Sequence, residues 1–439
     1  MYIIKRTIWL FLCSSLAICS HLHATSLSLE QTIKQHSAEL LPQTLKELEQ
    51  SVNINSGSMN FAGVKAVGAL ADQQLSALGF TTQWLDGSDF NRAGHLLATK
   101  LSDDPLAPKI VMIGHLDTVF SQDDEFQTYQ RIDEQTAKGP GVADMKGGNA
   151  IIINSMRILK RLGQLEKLSI KVLLTGDEES SGEPLQLSKK AIVDAAIWAD
   201  IALGFENGDN NIGTAMAARR GYTGWTLKVT ALPAHSSQIF TPEVGSGAIF
   251  EAARILHSMR EALANQENLS FNPGLILGGT RVSEQNERSS GQAFGKSNVI
   301  AKEVIVKGDL RSFSQQQLIS AKQEMTKIVA QNLPHSQASI EFETGYPPMT
   351  LSKGNLALLA RYHQASVDLG YGPVVAANPR KAGAADISFA ASHVEMALDD
   401  LGLMGRGAHT KDEVADLTTL QKNIEKTTLL LVRLIKPHS

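Results

Sequence analysis

The chain has 439 residues, 43% of them hydrophobic and 20% charged, so it has ample apolar surface for a packed interior and is too long for one ordinary core. Its 41 basic and 45 acidic residues leave a formal net charge of -4, which excludes the basic surface of a nucleic-acid-binding protein. Both cysteines, Cys13 and Cys19, fall in the first two dozen residues.

That opening stretch, MYIIKRTIWLFLCSSLAICSHLHATS, reads as a signal peptide over residues 1–24. Lys5 and Arg6 precede an apolar run from Ile8 to Cys19, and small residues follow. The run is shorter than the roughly 20 residues that span a bilayer. Cleavage after Ala24 is therefore expected, giving a periplasmic or secreted protein with no stable membrane association. Lipid attachment at Cys19 is the lesser alternative, because Ile18 is bulky where such sites take a small residue. A mature chain without cysteine has no disulfide, thiol nucleophile or thiolate ligand, so any metal must be held by imidazole and carboxylate.

Helical patterning runs from about Leu27 to Gln50, then from Gly63 to Leu78, where Gly79 closes it. Short apolar runs then alternate with helical stretches: IVMI before Gly114, NAIIINSMRILKRL after Gly148, IKVLLT before Gly176, and IALGF ending near Glu206. This alternation predicts an α/β layer with a mostly parallel sheet, whose strand ends are the usual ligand edge. Near Arg219 the texture changes. GYTGWTLKVTAL, NVIAKEVIVKGDLRSF and ASIEFET read as strands and GSGAIFEAARILHSMREAL as a helix, which predicts an inserted smaller α+β domain over residues 217–344. The first pattern returns afterwards, so residues 25–216 and 345–439 are expected to form one discontinuous domain.

The chemistry-bearing residues cluster just after the predicted strands. In GHLDTVF, His115 and Asp117 are two apart and point to one side of an extended chain, as suits a metal ligand and its orienting carboxylate; a solvated turn would look the same. KGPGVADMKGG puts Asp144 before a helix beginning near Lys146, where a carboxylate can cap the helix or bridge two metals. LLTGDEESSG places Asp177, Glu178 and Glu179 side by side, with no basic residue between Leu173 and Ser188 to balance them. Glu206 in LGFEN and His409 in GRGAHTKDE complete an imidazole and carboxylate set suited to two divalent cations, zinc above all.

In this order, GHLDTVF, GPGVADMKGG, LLTGDEES, LGFEN, ALPAHSS and GRGAHTKDE resemble the co-catalytic zinc metallopeptidases of the M20 family, most of all its glutamate carboxypeptidase branch. The resemblance implies two Zn²⁺ per subunit, with Co²⁺ or Mn²⁺ as substitutes. It assigns His115 and Glu206 to one ion, Glu179 and His409 to the other, and Asp144 to both. Glu178 would be the general base and Asp117 would orient His115, which leaves Asp177 as a solvated or helix-capping carboxylate. The smaller domain resembles the family's lid and dimerisation domain. His235 in ALPAHSS would reach the active site of the other subunit of a homodimer, while Asn298 and Arg380 would grip the substrate. The stretch KAGAAD departs from the family in carrying alanines at glycine positions before Asp386, beside Arg380.

The resulting expectation is an exported dizinc carboxypeptidase acting on a small peptide or N-acyl amino acid, with glutamate or a similar residue at the C-terminus. An aminoacylase or dipeptidase with the same metal site is the alternative. A non-catalytic binding protein on this fold would show a broken ligand set, and none of the five ligands or Glu178 is missing.

Overall fold

The computed structural model describes residues 27–285, 290–381 and 383–435. The expected leader, with Cys13, Cys19 and the cleavage point at Ala24, lies outside the described residues. Helix α1 (Leu29–Val52) begins where Ser28 Oγ accepts from the Gln31 amide and the Ser28 amide donates to the Gln31 side chain. This reciprocal cap satisfies two donors that a helix start otherwise leaves unpaired. Helix α2 (Phe61–Ala77) is closed by Gly79 at a φ of +89°, a conformation that suits glycine.

The main sheet takes β1 (Thr81–Asp86), β2 (Gly94–Lys100), β3 (Lys109–His115), β4 (Ser169–Thr175) and β5 (Ile201–Gly204). A sixth strand, Met396–Leu398, returns from the far end of the chain, and the order is β1-β2-β4-β3-β5-(Met396–Leu398). From β4 to the last strand all pairings are parallel, while β1 and β2 join as an antiparallel edge. Strict alternation within apolar strands serves two cores. Ile110 and Met112 of β3 face helices α1, α2 and α3 (Gly147–Arg161), whereas Val111 and Ile113 face the helix Lys190–Trp198. The fold is therefore the expected α/β layer with its mainly parallel sheet.

A smaller body lies between residues 221 and 342. Its four strands run antiparallel in the order Ser270–Gly279, Glu303–Ser312, Gly221–Ala231, Ser336–Phe342. Trp225, Leu227, Val306, Met259 and Met325 belong to a core of its own, with helices Gly247–Leu263 and Gln315–Val329 packed against the sheet. The strand Ser270–Gly279 has no counterpart among the strands predicted from sequence, because Asn272, Pro273 and Gly274 read as a turn. It is an edge strand whose register shifts between Pro273 and Leu275, and there a missing N–H is tolerated.

The last helix (Thr418–Leu434) carries a buried cation. Lys426 is 1% exposed, donates to the Ile212 carbonyl at 3.1 Å and lies 4.8 Å from the Tyr362 ring centroid. Burial, aided by Lys422, pushes its ammonium down to about 7. Between pH 7 and its ordinary value the unfolded chain then binds more protons, so this residue makes stability rise with pH across that window. Lys426→Met is expected to raise Tm at pH 7, by an amount on the order of a few kcal/mol in stability. Melts of both proteins from pH 6 to 10 check this, with the gap between them shrinking as pH rises.

Candidate metal centre

Three strands of the parallel half lead into side chains of the site. His115 closes β3, Glu178 and Glu179 follow β4, and Glu206 follows β5. Asp144 comes from the turn before α3, and His409 from a loop in which it adopts a φ of +63°. Two ligand groups result, His115 with Asp144 and Glu206, and Asp144 with Glu179 and His409; within each, the ligand atoms lie within 4.8 Å of one another. Asp144 belongs to both and divides its oxygens between them. Its Oδ1 is 3.2 Å from His115 Nε2, and its Oδ2 is 3.3 Å from His409 Nε2. His115 Nε2 is also 3.6 Å from Glu206 Oε1, and His409 Nε2 is 3.0 Å from Glu179 Oε2.

The main chain is locked behind these atoms. His115 Nδ1 donates to the Asp117 carbonyl at 2.9 Å, which leaves Nε2 free to ligate. The Asp117 carboxylate stands farther off, at 3.5 Å, and is engaged elsewhere. It is fully buried, takes Ser58 Oγ at 2.6 Å, and accepts the amides of Glu178 and Glu179 at 3.1 Å each. Asp117 thus orients the imidazole through its carbonyl and positions both glutamates through its carboxylate. Burial raises Glu178 well above the ordinary carboxylate range, with Asp386 and Glu179 adding to it against His115 and Lys189. Glu206 is likewise raised by burial and by the charge of Asp144. Asp144 would also be raised by burial, but its bonds to His115 and His409 hold it below its usual value.

Asp144 is not a helix cap. Helix α3 begins at Gly147 after Lys146, with no side-chain cap, and the Asp144 carboxylate is committed to the two imidazoles. What organises its turn is Glu413, the last residue of GRGAHTKDE, to which the sequence reading gave no role. This buried carboxylate accepts the amides of Gly141 and Ala143 at 2.9 Å and of Asp144 at 3.1 Å. The one hint was its place just past GRGAHTKDE's histidine, four residues after His409. Gly148 has a packing reason as well: a Cβ there would lie 2.1 Å from the Phe205 carbonyl, next to Glu206.

Asp177 corrects the expectation of a solvated or capping carboxylate. It is fully buried, lies 3.0 Å from Lys189 Nζ, and accepts Ser188 Oγ at 2.5 Å and the Gly182 amide at 3.0 Å. Lys189, one residue past the segment free of basic side chains, also pairs with Asp386 at 3.0 Å. A second buried pair, missed in the sequence, joins Arg219 to Asp399 at 2.7 Å and to Asp400.

The expected substrate residues lie elsewhere. His235 and Asn298 are neighbours on the small domain, where the Ser236 amide donates to the Asn298 carbonyl at 2.9 Å. Arg380 reaches the Leu269 carbonyl at 3.3 Å and lines a cavity of about 530 Å³ with Leu256, Phe271 and Pro273. Among the described residues no hydrogen bond or ion pair joins these three to the metal-site side chains. A cavity of about 370 Å³, lined by Ser58, Met59, Thr118 and Glu179, opens beside the site.

Three carboxylates and two imidazoles, with no lysine or arginine among the described residues bonded to their ligand atoms, form a donor set that suits two borderline divalent cations. Residues 111–436 match peptidase family M20/M25/M40. The chain is 25% identical to carboxypeptidase G2 of Pseudomonas sp. strain RS-16 over 414 residues, 92% of each protein. Its fold is similar to that of the aminopeptidase PepT of Bacillus cereus, with a TM-score of 0.72 and 19% identity over 90% of this chain and 99% of that one. It is similar also to the YXEP protein of Bacillus subtilis, a dinuclear metal-binding peptidase of family M20, with a TM-score of 0.62 and 14% identity over 91% and 99%. The match over most of the length, together with the shared-aspartate ligand groups, makes this chain a member of peptidase family M20/M25/M40.

Proposed function

We propose that the protein is an exported dizinc carboxypeptidase that hydrolyses the amide bond before a C-terminal amino acid, glutamate or one similar to it. The observation that carries the metal chemistry is Asp144, whose two oxygens serve two ligand groups. Resemblance to carboxypeptidase G2 along 92% of both chains favours cleavage beside a free carboxylate.

His115 and Glu206 would hold one ion, Glu179 and His409 the other, and Asp144 both. Zinc bound there supplies Lewis acidity and a water of lowered pKa. The chain's own residues do the rest. Glu178, which precedes Glu179 after β4 and belongs to neither group, takes the proton of the attacking water and returns it to the leaving amine. Asp117 fixes where it stands. His235, on the small domain, donates to the oxyanion of the other subunit in a homodimer. Exposed Phe240 and Phe250, in edge-to-face contact at 5.4 Å, give that domain an apolar face suited to a second copy. Arg380 and Asn298 grip the substrate, the guanidinium fork of Arg380 taking its carboxylate. Residues 1–24 act as the export leader.

The test is hydrolysis of a panel of dipeptides and N-acyl amino acids by zinc-reconstituted protein. Faster turnover of substrates ending in acidic residues is expected. Equal rates across C-terminal residues would favour the aminoacylase or dipeptidase reading, which the similarity to an aminopeptidase fold also permits. His235→Ala should lower kcat by about 10²-fold with metal content unchanged.

A further inference from the structure

The chain crosses between its two bodies twice, near residues 216–221 and 343–349, and the crossings pair with each other. The Arg219 amide donates to the Met349 carbonyl at 2.9 Å and the Tyr222 amide to the Tyr346 carbonyl at 3.0 Å. They pack backbone on backbone, for a Cβ on Gly345 would lie 1.9 Å from the Tyr222 carbonyl oxygen. Each crossing also reaches into a loop of the metal centre. Arg219 is paired with Asp399, whose Oδ1 accepts the Glu206 amide at 3.4 Å. In the other crossing the Tyr346 hydroxyl lies 3.3 Å from the Glu178 carbonyl, 3.3 Å from Asp386 Oδ1 and 2.8 Å from Ser181 Oγ. The ring is held against Phe389, with centroids 4.8 Å apart.

A single hydroxyl therefore stands where the crossing, the Glu178 loop and the buried Lys189–Asp386 pair meet. It belongs to neither ligand group, and it is bonded to the main chain of the base instead of its carboxylate. We propose that Tyr346 is a positioning residue: its hydroxyl holds the Glu178 main chain and so ties the orientation of the small domain to the placement of the base. This rests on the reading of Glu178 as the base.

The experiment compares full-length wild type with Tyr346→Phe, which keeps the ring on Phe389 and removes only the hydroxyl. Hydrogen–deuterium exchange, zinc content and kinetics are read on both. Exchange in the 177–182 segment should quicken about fivefold to tenfold, as expected for one lost hydrogen bond, while exchange elsewhere and zinc content stay unchanged. The kcat should fall by about tenfold with KM within about twofold, the pattern of an interaction realised in the transition state. Unchanged exchange at 177–182, or faster exchange spread over the whole chain, would overturn the proposal. If wild type hydrolyses none of the panel yet the local exchange response is present, the peptidase reading fails and the tie between crossing and loop stands.

Discussion

Glu178→Ala is expected to abolish turnover, by about 10²- to 10⁴-fold in kcat, while the protein keeps its full zinc content. The size is what a general base contributes, and the acidic side chains beside it in the loop and at its anchor are engaged elsewhere. Asp117 is buried and occupied by Ser58 and two amides, and Glu179 is engaged with His409. Retained zinc follows because Glu178 lies outside both ligand groups. Steady-state kinetics beside elemental analysis separate the two effects. Turnover like that of wild type would remove Glu178 from its role, and a loss of zinc would recast it as a ligand.

Lys189→Met should cost about 3–5 kcal/mol of stability, because it strips the partner from two buried carboxylates, Asp177 and Asp386. Burial works against the ammonium, but Asp386, Tyr346 and Asp177 hold its proton well above the ordinary lysine range, so Lys189 is a cation at neutral pH. The double variant Lys189→Met with Asp177→Asn should be less damaging than the sum of its parts, since one orphaned charge disappears with its partner. Denaturant midpoints at pH 7 measure both. A single-variant loss below about 1 kcal/mol would show that the pair resembles an exposed ion pair, not a structural clamp.

How much of this was legible in the sequence depended on range. His115, Glu178, Glu179 and Glu206 each follow an apolar run, so local pattern alone places them on one sheet edge. Composition and spacing could not decide between a cap and a bridge for Asp144; the two imidazoles that decide it come from 29 residues upstream, His115, and from the far end of the chain, His409. Asp177 looked idle because its partner Lys189 lies 12 residues on and its environment depends on Asp386, from a distant part of the chain. Arg219 with Asp399, and Glu413 with the Gly141 turn, are contacts of the same distant kind, separated by 180 and 272 residues. Periodicity reports which face a side chain takes, and says little about which distant segment meets it. The edge strand Ser270–Gly279 was hidden for a different reason, since its proline and glycine carry turn propensity that edge pairing overrides.

All of the proposed chemistry depends on Asp144 serving two metal ions at once. Zinc stoichiometry of the apo protein on titration, for wild type and Asp144→Ala, tests this most directly. Two tight sites per chain are expected in wild type, with both weakened in the variant because each ligand group loses an oxygen. One site in wild type, or a variant that loses a single ion and binds the other with unchanged affinity, would contradict it.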